Sequence, residues 1–224
     1  MVAGAVEAVS RYPVIVFDLD GTLLRGTTVS LLLAQWLGRE DEVSELERAF
    51  RAHEISNSVV ADTSAGWLAG RTTAEAWRVL GDGPWIDGMA ETFAALAAAG
   101  ASLLLGTITW SFAGEMLREC HGFAAVSGTE MPTSDGVLSG TVSRYFDEHD
   151  KVRFVEEWCE QVGYSMSEVA AIGDSRSDVP LFGGVGLSIA LNATPDARAA
   201  ATYVLDTEDL RDVLALLQRA GDAG

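Results

Sequence analysis

The sequence predicts an α/β protein built on a doubly wound parallel sheet, with a small helical block inserted after the first strand. Three observations lead there. Short apolar runs recur at 14–17 (VIVF), 101–107 (ASLLLGT), 169–173 (VAAIG) and 187–190 (LSIA), as in strands buried on both faces. Segments of helical spacing separate most of them, and strands alternating with helices form a parallel sheet with right-handed crossovers. Between about 28 and 81 the strand signal stops and helical stretches follow one another.

Taken in order, VIVF opens the sheet. VSLLLAQWL, EVSELERAF, SVVADTSAGWL and TAEAWRVL then supply the helical block, whose Trp36, Trp67 and Trp77 are expected to form its core. GDGPW at 81–85 is a turn cluster that closes it, and MAETFAALAAAG is a helix ending at Gly100. The strand at 101–107 leads into a helix through AGEMLREC. FAAVSGTEM and SDGVLSG give short strands, the latter as a hairpin turning at Asp135-Gly136. A helix from about Asp147 to Val162, the strands VAAIG and LSIA, and a helix from about Thr207 to Arg219 complete the chain. The sheet thus draws on residues 1–24 and 84–224, and the insertion on 25–83.

The 224 residues are 48% apolar, enough for a substantial core. A net charge of −18 argues against nucleic acid or an anionic membrane as partner. No apolar run is long enough to span a bilayer, and MVAGAVEAVSRYP lacks the form of a leader, so a cytoplasmic location is expected. Cys120 and Cys159 are far apart and read as ordinary buried or half-buried thiols. Of the fifteen basic residues only Lys151 is a lysine.

The chemistry concentrates behind the strands. In doubly wound sheets ligands bind beyond the carboxyl ends of the strands, where Asp18 falls. Asp18 and Asp20, two residues apart in extended chain, point the same way, and two such carboxylates need a cation or a retained proton. Gly21 permits the tight turn that follows. An EF-hand register would require Gly and Glu where the chain has Leu23 and Val29. Asp174 and Asp178 form a second pair behind VAAIG; Asp174 alone could be a helix cap, but with Asp18 and Asp20 the set supplies the oxygens a hard Mg²⁺ ion takes.

DLDGT (18–22), Thr109 after LLLGTI, Lys151 and GDSRSD (173–178) resemble, in order and spacing, the four motifs of the haloacid dehalogenase superfamily of phosphohydrolases. DGVLSG, DKVRFVEEWCEQVG, IGDSRSDVPLF and ALNATPDARAAA are similar to its phosphoserine phosphatase branch. The resemblance implies a Rossmann-like core, with the insertion as a cap closing over the site. It implies a phosphatase acting on a small-molecule phosphate ester through an aspartyl phosphate. Asp18 would be the nucleophile and Asp20 the general acid and base. Mg²⁺ would be held by Asp18, the Asp20 carbonyl, Asp174 and Asp178, the last directly or through water. Thr109 and Lys151 would bind phosphoryl oxygens. Thr107 competes with Thr109, which the motif favours because Phe112 follows it by three residues.

The cap departs from that branch. Thr27 stands where the branch carries a Glu for the serine ammonium, NSVVADTSAGW offers no Arg for the carboxylate, and Trp110 and Ser111 replace two glycines. Phosphoserine is therefore not the expected substrate. Arg25, Thr27, Trp110 and Ser111, with His53, Asn57 and Arg71 from the cap, are the candidates to meet a sugar or polyol leaving group. Transfer of the phosphoryl group to an alcohol is the alternative reaction, and a phosphoserine phosphatase with a divergent cap the alternative assignment.

Overall fold

The structure is a computed structural model that describes residues 11–222. The first ten residues, on which the expectation of no leader largely rests, lie outside it. Strand β1 (Val14–Phe17) is followed by helices α1 (Val29–Leu37), α2 (Glu40–Arg51), α3 (Asn57–Leu68) and α4 (Thr73–Gly81). Then come α5 (Met89–Ala98), β2 (Ser102–Leu105), α6 (Ser111–His121), β3 (Ala125–Val126) and the hairpin β4 (Thr133–Ser134) and β5 (Val137–Leu138). Helix α7 (Glu148–Val162), β6 (Val169–Gly173), a 3-10 turn (Arg176–Asp178), α8 (Val179–Phe182), β7 (Leu187–Leu191), α9 (Pro195–Ala200), β8 (Tyr203–Leu205) and α10 (Arg211–Asp222) follow.

Six parallel strands lie in the order β3-β2-β1-β6-β7-β8. The order reverses between β1 and β6, and a crevice opens at such a switch point beyond the strand ends. Phe17 pairs with Leu105 on one side and Ile172 on the other, so the chain leaves β1 flanked by the ends of β2 and β6. Alternation divides β1 between two cores. Ile15 and Phe17 pack with Phe93, Leu105 and Phe123, whereas Val14 and Val16 pack with Leu104, Val155 and Cys159. Full burial of such side chains stabilises by about 1.5–3 kcal/mol each, which makes VIVF the anchor of both layers.

The insertion joins the first of these cores through Leu33, Ala65, Leu68 and Leu80, with Trp36 and Trp77 half-buried against it. Its α4 starts with a capping box between Thr72 and Glu75. Three main-chain bonds tie it to the hairpin: Gly70 N to Leu138 O at 3.0 Å, Leu138 N to Arg71 O at 2.7 Å and Thr73 N to Gly136 O at 2.9 Å. The hairpin turns as expected, with positive φ at both Asp135 and Gly136.

Some expectations shift. The last helix begins at Arg211, because Asp87 first pairs with the stretch before it, donating to Glu208 O and accepting from Leu210 N. The edge strand β8 has two exposed residues of three and carries no periodic signal. Cys120 is exposed, while Cys159 is buried as expected. Among the described residues no helix is long and apolar enough to cross a membrane.

Candidate active site

Asp18 is the first residue beyond β1, and its main-chain N–H still bonds Ile172 O at 2.9 Å. Its side chain is buried, with Oδ1 accepting from Lys151 Nζ at 2.8 Å. Lys151 comes from the first turns of α7, where Asp147 and Asp150 form a capping box. It has no exposure at all and donates also to Asp178 Oδ1 at 2.7 Å. The other oxygen of Asp178 accepts from the N–H groups of Asp174 and Ser175 at 3.0 and 3.1 Å. Carboxylate oxygens of Asp18, Asp174 and Asp178 lie within 4.8 Å of one another.

Two glycines permit that convergence. A Cβ on Gly21 would lie 2.2 Å from Asp174 Oδ2, and one on Gly173 would lie 2.2 Å from Asp178 Cγ. Gly21 also holds φ at +82°, which side-chain-bearing residues adopt at a cost.

Asp20 is set apart from this cluster. Its Oδ1 accepts from Val29 N at 2.7 Å, at the first residue of α1, where the helix dipole favours a negative charge. Burial nevertheless drives its carboxyl well above the ordinary carboxylate range, with Asp18 and Glu47 adding repulsion. Burial pushes Asp18 up to about 7, Asp178 adding to it and Lys151 opposing it. Burial and the neighbouring carboxylates push Asp174 to about 9. Burial alone would lower the Lys151 ammonium, but Asp178 and Asp18 hold it above its usual value. One ammonium thus faces three clustered carboxyl groups. The oxygen-only donor set and the buried Asp174 Oδ1, without a hydrogen-bond partner among the described residues, fit a hard divalent cation.

These groups form one end of a cavity of about 500 Å³ that reaches under α2 and α3. Thr109 lines it, its buried Oγ1 having no partner among the described residues, whereas Thr107 Oγ1 accepts from Thr109 N at 3.3 Å. Thr27 also lines the cavity with a buried, unpartnered Oγ1. Trp110 forms part of the wall, stacked on Phe112. Asn57 lines it too, but its amide is engaged, donating to Ile108 O at 3.1 Å and Phe146 O at 2.8 Å.

The other candidates lie elsewhere. Arg25 turns outward to pair with Glu208 at 3.3 Å. Ser111 opens α6, its N–H bonded to Thr129 O, and faces a separate small crevice beside Glu130 and Arg144. His53 is an exposed residue with φ of +60° beyond α2, and Arg71 stacks over Trp36. In their stead α2 presents Glu47, Phe50 and Arg51 to the cavity. Position 27 holds no Glu and 57–67 no Arg, but Glu47 and Arg51 line the cavity from α2. Glu47 accepts from Thr28 Oγ1 and pairs with Arg51 at 3.3 Å. The signal for Glu47 was its helical spacing from the buried Val43, which puts a charge on the inner stripe.

Parallel topology, two carboxylates behind β1, a buried lysine and two carboxylates behind β6 define an α/β phosphohydrolase. The haloacid dehalogenase-like hydrolase model matches residues 15–183, and the chain belongs to that family. It is 28% identical over 216 residues to a phosphoserine phosphatase of Polaromonas sp., covering 93% of this chain and 91% of that one. It is 26% identical over 217 residues to the phosphoserine phosphatase of Lactococcus lactis, covering 93% and 96%. Against the phosphoserine phosphatase of Mycobacterium tuberculosis, 28% identical over 219 residues and 94% of this chain, it spans about half (53%) of the relative's length. A solved structure described as a phospho-aspartyl intermediate analogue of phosphoserine phosphatase superposes with a TM-score of 0.78 at 22% identity. That match covers 91% of this chain and 97% of the other, and carries the fold.

Proposed function

We propose that the protein is a Mg²⁺-dependent phosphatase that hydrolyses a small, hydroxylated phosphate monoester through an aspartyl phosphate, in the cytoplasm. The observation that carries this reading is the contrast between Asp18, oriented by Lys151, and Asp20, held at a helix N-terminus with its proton favoured by burial. A nucleophile must be ionised and a general acid protonated; burial raises both carboxyls, but the Lys151 ammonium bonded to Asp18 favours its ionised form, and this difference supports the two roles.

Mg²⁺, held by Asp18, the Asp20 carbonyl and Asp174 with Asp178 behind, would offset the charge of the carboxylates and the phosphoryl group. A carboxylate oxygen of Asp18 attacks phosphorus in line. As the bond from phosphorus to the ester oxygen breaks, Asp20 gives its proton to that oxygen. Asp20 then takes a proton from the water that attacks phosphorus and releases Asp18. Lys151 keeps Asp18 oriented, and with the free Thr109 hydroxyl it binds the phosphoryl oxygens. The insertion acts as a cap that excludes bulk water from these steps.

Thr27 and Trp110 line the cavity and would meet the leaving group. A neutral polyol or sugar would leave the Glu47–Arg51 pair intact, whereas an amino acid zwitterion would have to replace it. The second reading is phosphoserine hydrolysis, favoured by the presence of that Glu and Arg in the cavity and by the names of the relatives. A screen of phosphate monoesters with Mg²⁺, reading released phosphate with and without acceptor alcohols, decides among these. A polyol or sugar phosphate should lead it. Phosphoserine at the top, with Glu47→Gln selectively impairing it, would establish the second reading, and an alcohol-dependent product would establish phosphotransfer.

A further inference from the structure

Arg176 stands between Asp174 and Asp178 in sequence, on the 3-10 turn that carries Asp178. Its side chain leaves that loop and crosses to the insertion. The guanidinium carbon lies 4.2 Å from the centroid of the Phe50 ring, Nη2 donates to Phe50 O at 3.4 Å, and Nη1 pairs with Glu148 at 3.2 Å. Glu148 lies in the first turn of α7, three residues before Lys151. One side chain therefore joins the carboxylate loop, the lysine helix and the last turn of α2.

The two ends of the insertion are held differently. The segment joining α3 to α4 is bonded to the hairpin through the main chain, at Gly70, Arg71 and Thr73. The end of α2 meets the carboxylate loop through a cation over an aromatic ring and one long hydrogen bond. Main-chain ladders are rigid, whereas a planar guanidinium on a ring can separate without breaking secondary structure. The cavity passes between these parts, with Phe50 and Arg51 on one side and Ser175 and Ser177 on the other. Arg176 Nε is buried without a partner among the described residues.

We propose that Arg176 is a positioning residue that couples the order of the Asp174–Asp178 loop to the seating of α2 over the cavity. The proposal rests on the reading of this cavity as a Mg²⁺-dependent phosphatase site. A cation that fixes the loop fixes the base of the Arg176 side chain, and the guanidinium then holds Phe50 in place. Leaving-group contacts from α2 are thereby present when the metal site is filled.

Hydrogen exchange of α2 amides in the full chain, with EDTA and with saturating Mg²⁺, tests the coupling without any turnover. In the wild type Mg²⁺ should slow exchange across 44–51 by about fivefold to tenfold, the scale of a single cation–π contact. Arg176→Ala should remove that response. It should also raise KM for the best ester of the screen by a similar factor, with kcat changed less. Arg176→Lys keeps the charge beside Glu148 but loses the planar stack, and should show the same loss to a smaller degree; it replaces the alanine variant should that fail to fold. An α2 response to Mg²⁺ that is absent in the wild type, or equal in wild type and variants, overturns the coupling. A wild type that releases no phosphate from any ester overturns the phosphatase reading instead, while the exchange comparison still decides the role of Arg176.

Discussion

Lys151 Nζ donates to Asp18 Oδ1 at 2.8 Å, with the lysine side chain fully buried and the aspartate 5% exposed. The lysine stem passes close to Gly106, where a Cβ would lie 3.4 Å from its Cγ. A guanidinium fork is wider and differently angled than an ammonium. Lys151→Arg should therefore keep its charge and lose about 10² or more in turnover, the scale of one oriented transition-state donor. Steady-state rates with Mg²⁺ check this, and an Arg variant with most of its activity would remove Lys151 from phosphate binding. Lys151→Met should also destabilise by about 3–5 kcal/mol in denaturant titration, because it strands buried carboxylates without their cation.

Asp18→Asn should fold with a melting temperature close to or above that of the wild type, since burial already opposes the charge there and pushes the carboxyl to about 7. Turnover should fall by at least about 10³, because the amide cannot form the acyl phosphate. Near-native rates would exclude Asp18 as the nucleophile.

The acidic cluster sets a pH dependence with a definite sign. Asp174 has its carboxyl raised from 3.8 to about 9 and Asp18 to about 7 in the metal-free protein. A group with a raised folded value favours the fold most at low pH and loses that contribution as pH climbs through the folded value. For these groups the loss runs from about pH 4 to 9, and Mg²⁺ opposes it by binding the ionised form. The rise in melting temperature on adding Mg²⁺ should accordingly be larger at pH 8.5 than at pH 6. At a hundredfold excess over Kd the stabilisation is about 2.7 kcal/mol, or roughly 5–10 °C for a chain of this size. Thermal scans with and without EDTA measure it; an equal shift at both pH values would mean that the carboxylates were ionised before the metal arrived.

Gly21→Ala tests the close approach of the first turn to Asp174. The new methyl would meet Oδ2 at 2.2 Å in a backbone with φ of +82°. Strain of this kind costs about 1–3 kcal/mol, so the variant should still fold. It should lose most of its phosphatase activity and most of the Mg²⁺-induced thermal shift. Retention of both would show that the turn and Asp174 can separate freely.

The core of the site was legible because its residues break local rules. Asp18 follows a wholly apolar strand, Asp174 follows another, and a lone lysine survives among fourteen arginines. Motif position favours Thr109 over Thr107; both line the cavity, Thr109 with an unpartnered hydroxyl among the described residues and Thr107 with one that accepts from Thr109 N. The side of the cavity formed by α2 was not legible. Glu47 and Arg51 are four apart on an amphipathic helix, a spacing that ordinarily marks a solvated pair, and only the packing of α2 turns them toward the cavity. Arg25 misled because adjacency to the first turn suggested the pocket, whereas Glu208, distant in sequence, draws it away. Strand β8 escaped because an edge strand of three residues carries too few side chains for a period to register.

The central place of β1 governs how the chain can be made. Val14 waits for Ser102 on one flank and for Val169 on the other. A ribosome extends a chain by about 5–20 residues per second, so the second flank arrives on the order of ten seconds or more after the first strand emerges. Throughout that interval VIVF is an apolar segment with at least one bare hydrogen-bonding edge, while the helices encoded just after it can condense locally. A nascent chain halted before β6 would present that strand to its neighbours, which makes the interval between β1 and β6 the aggregation-prone phase of its synthesis.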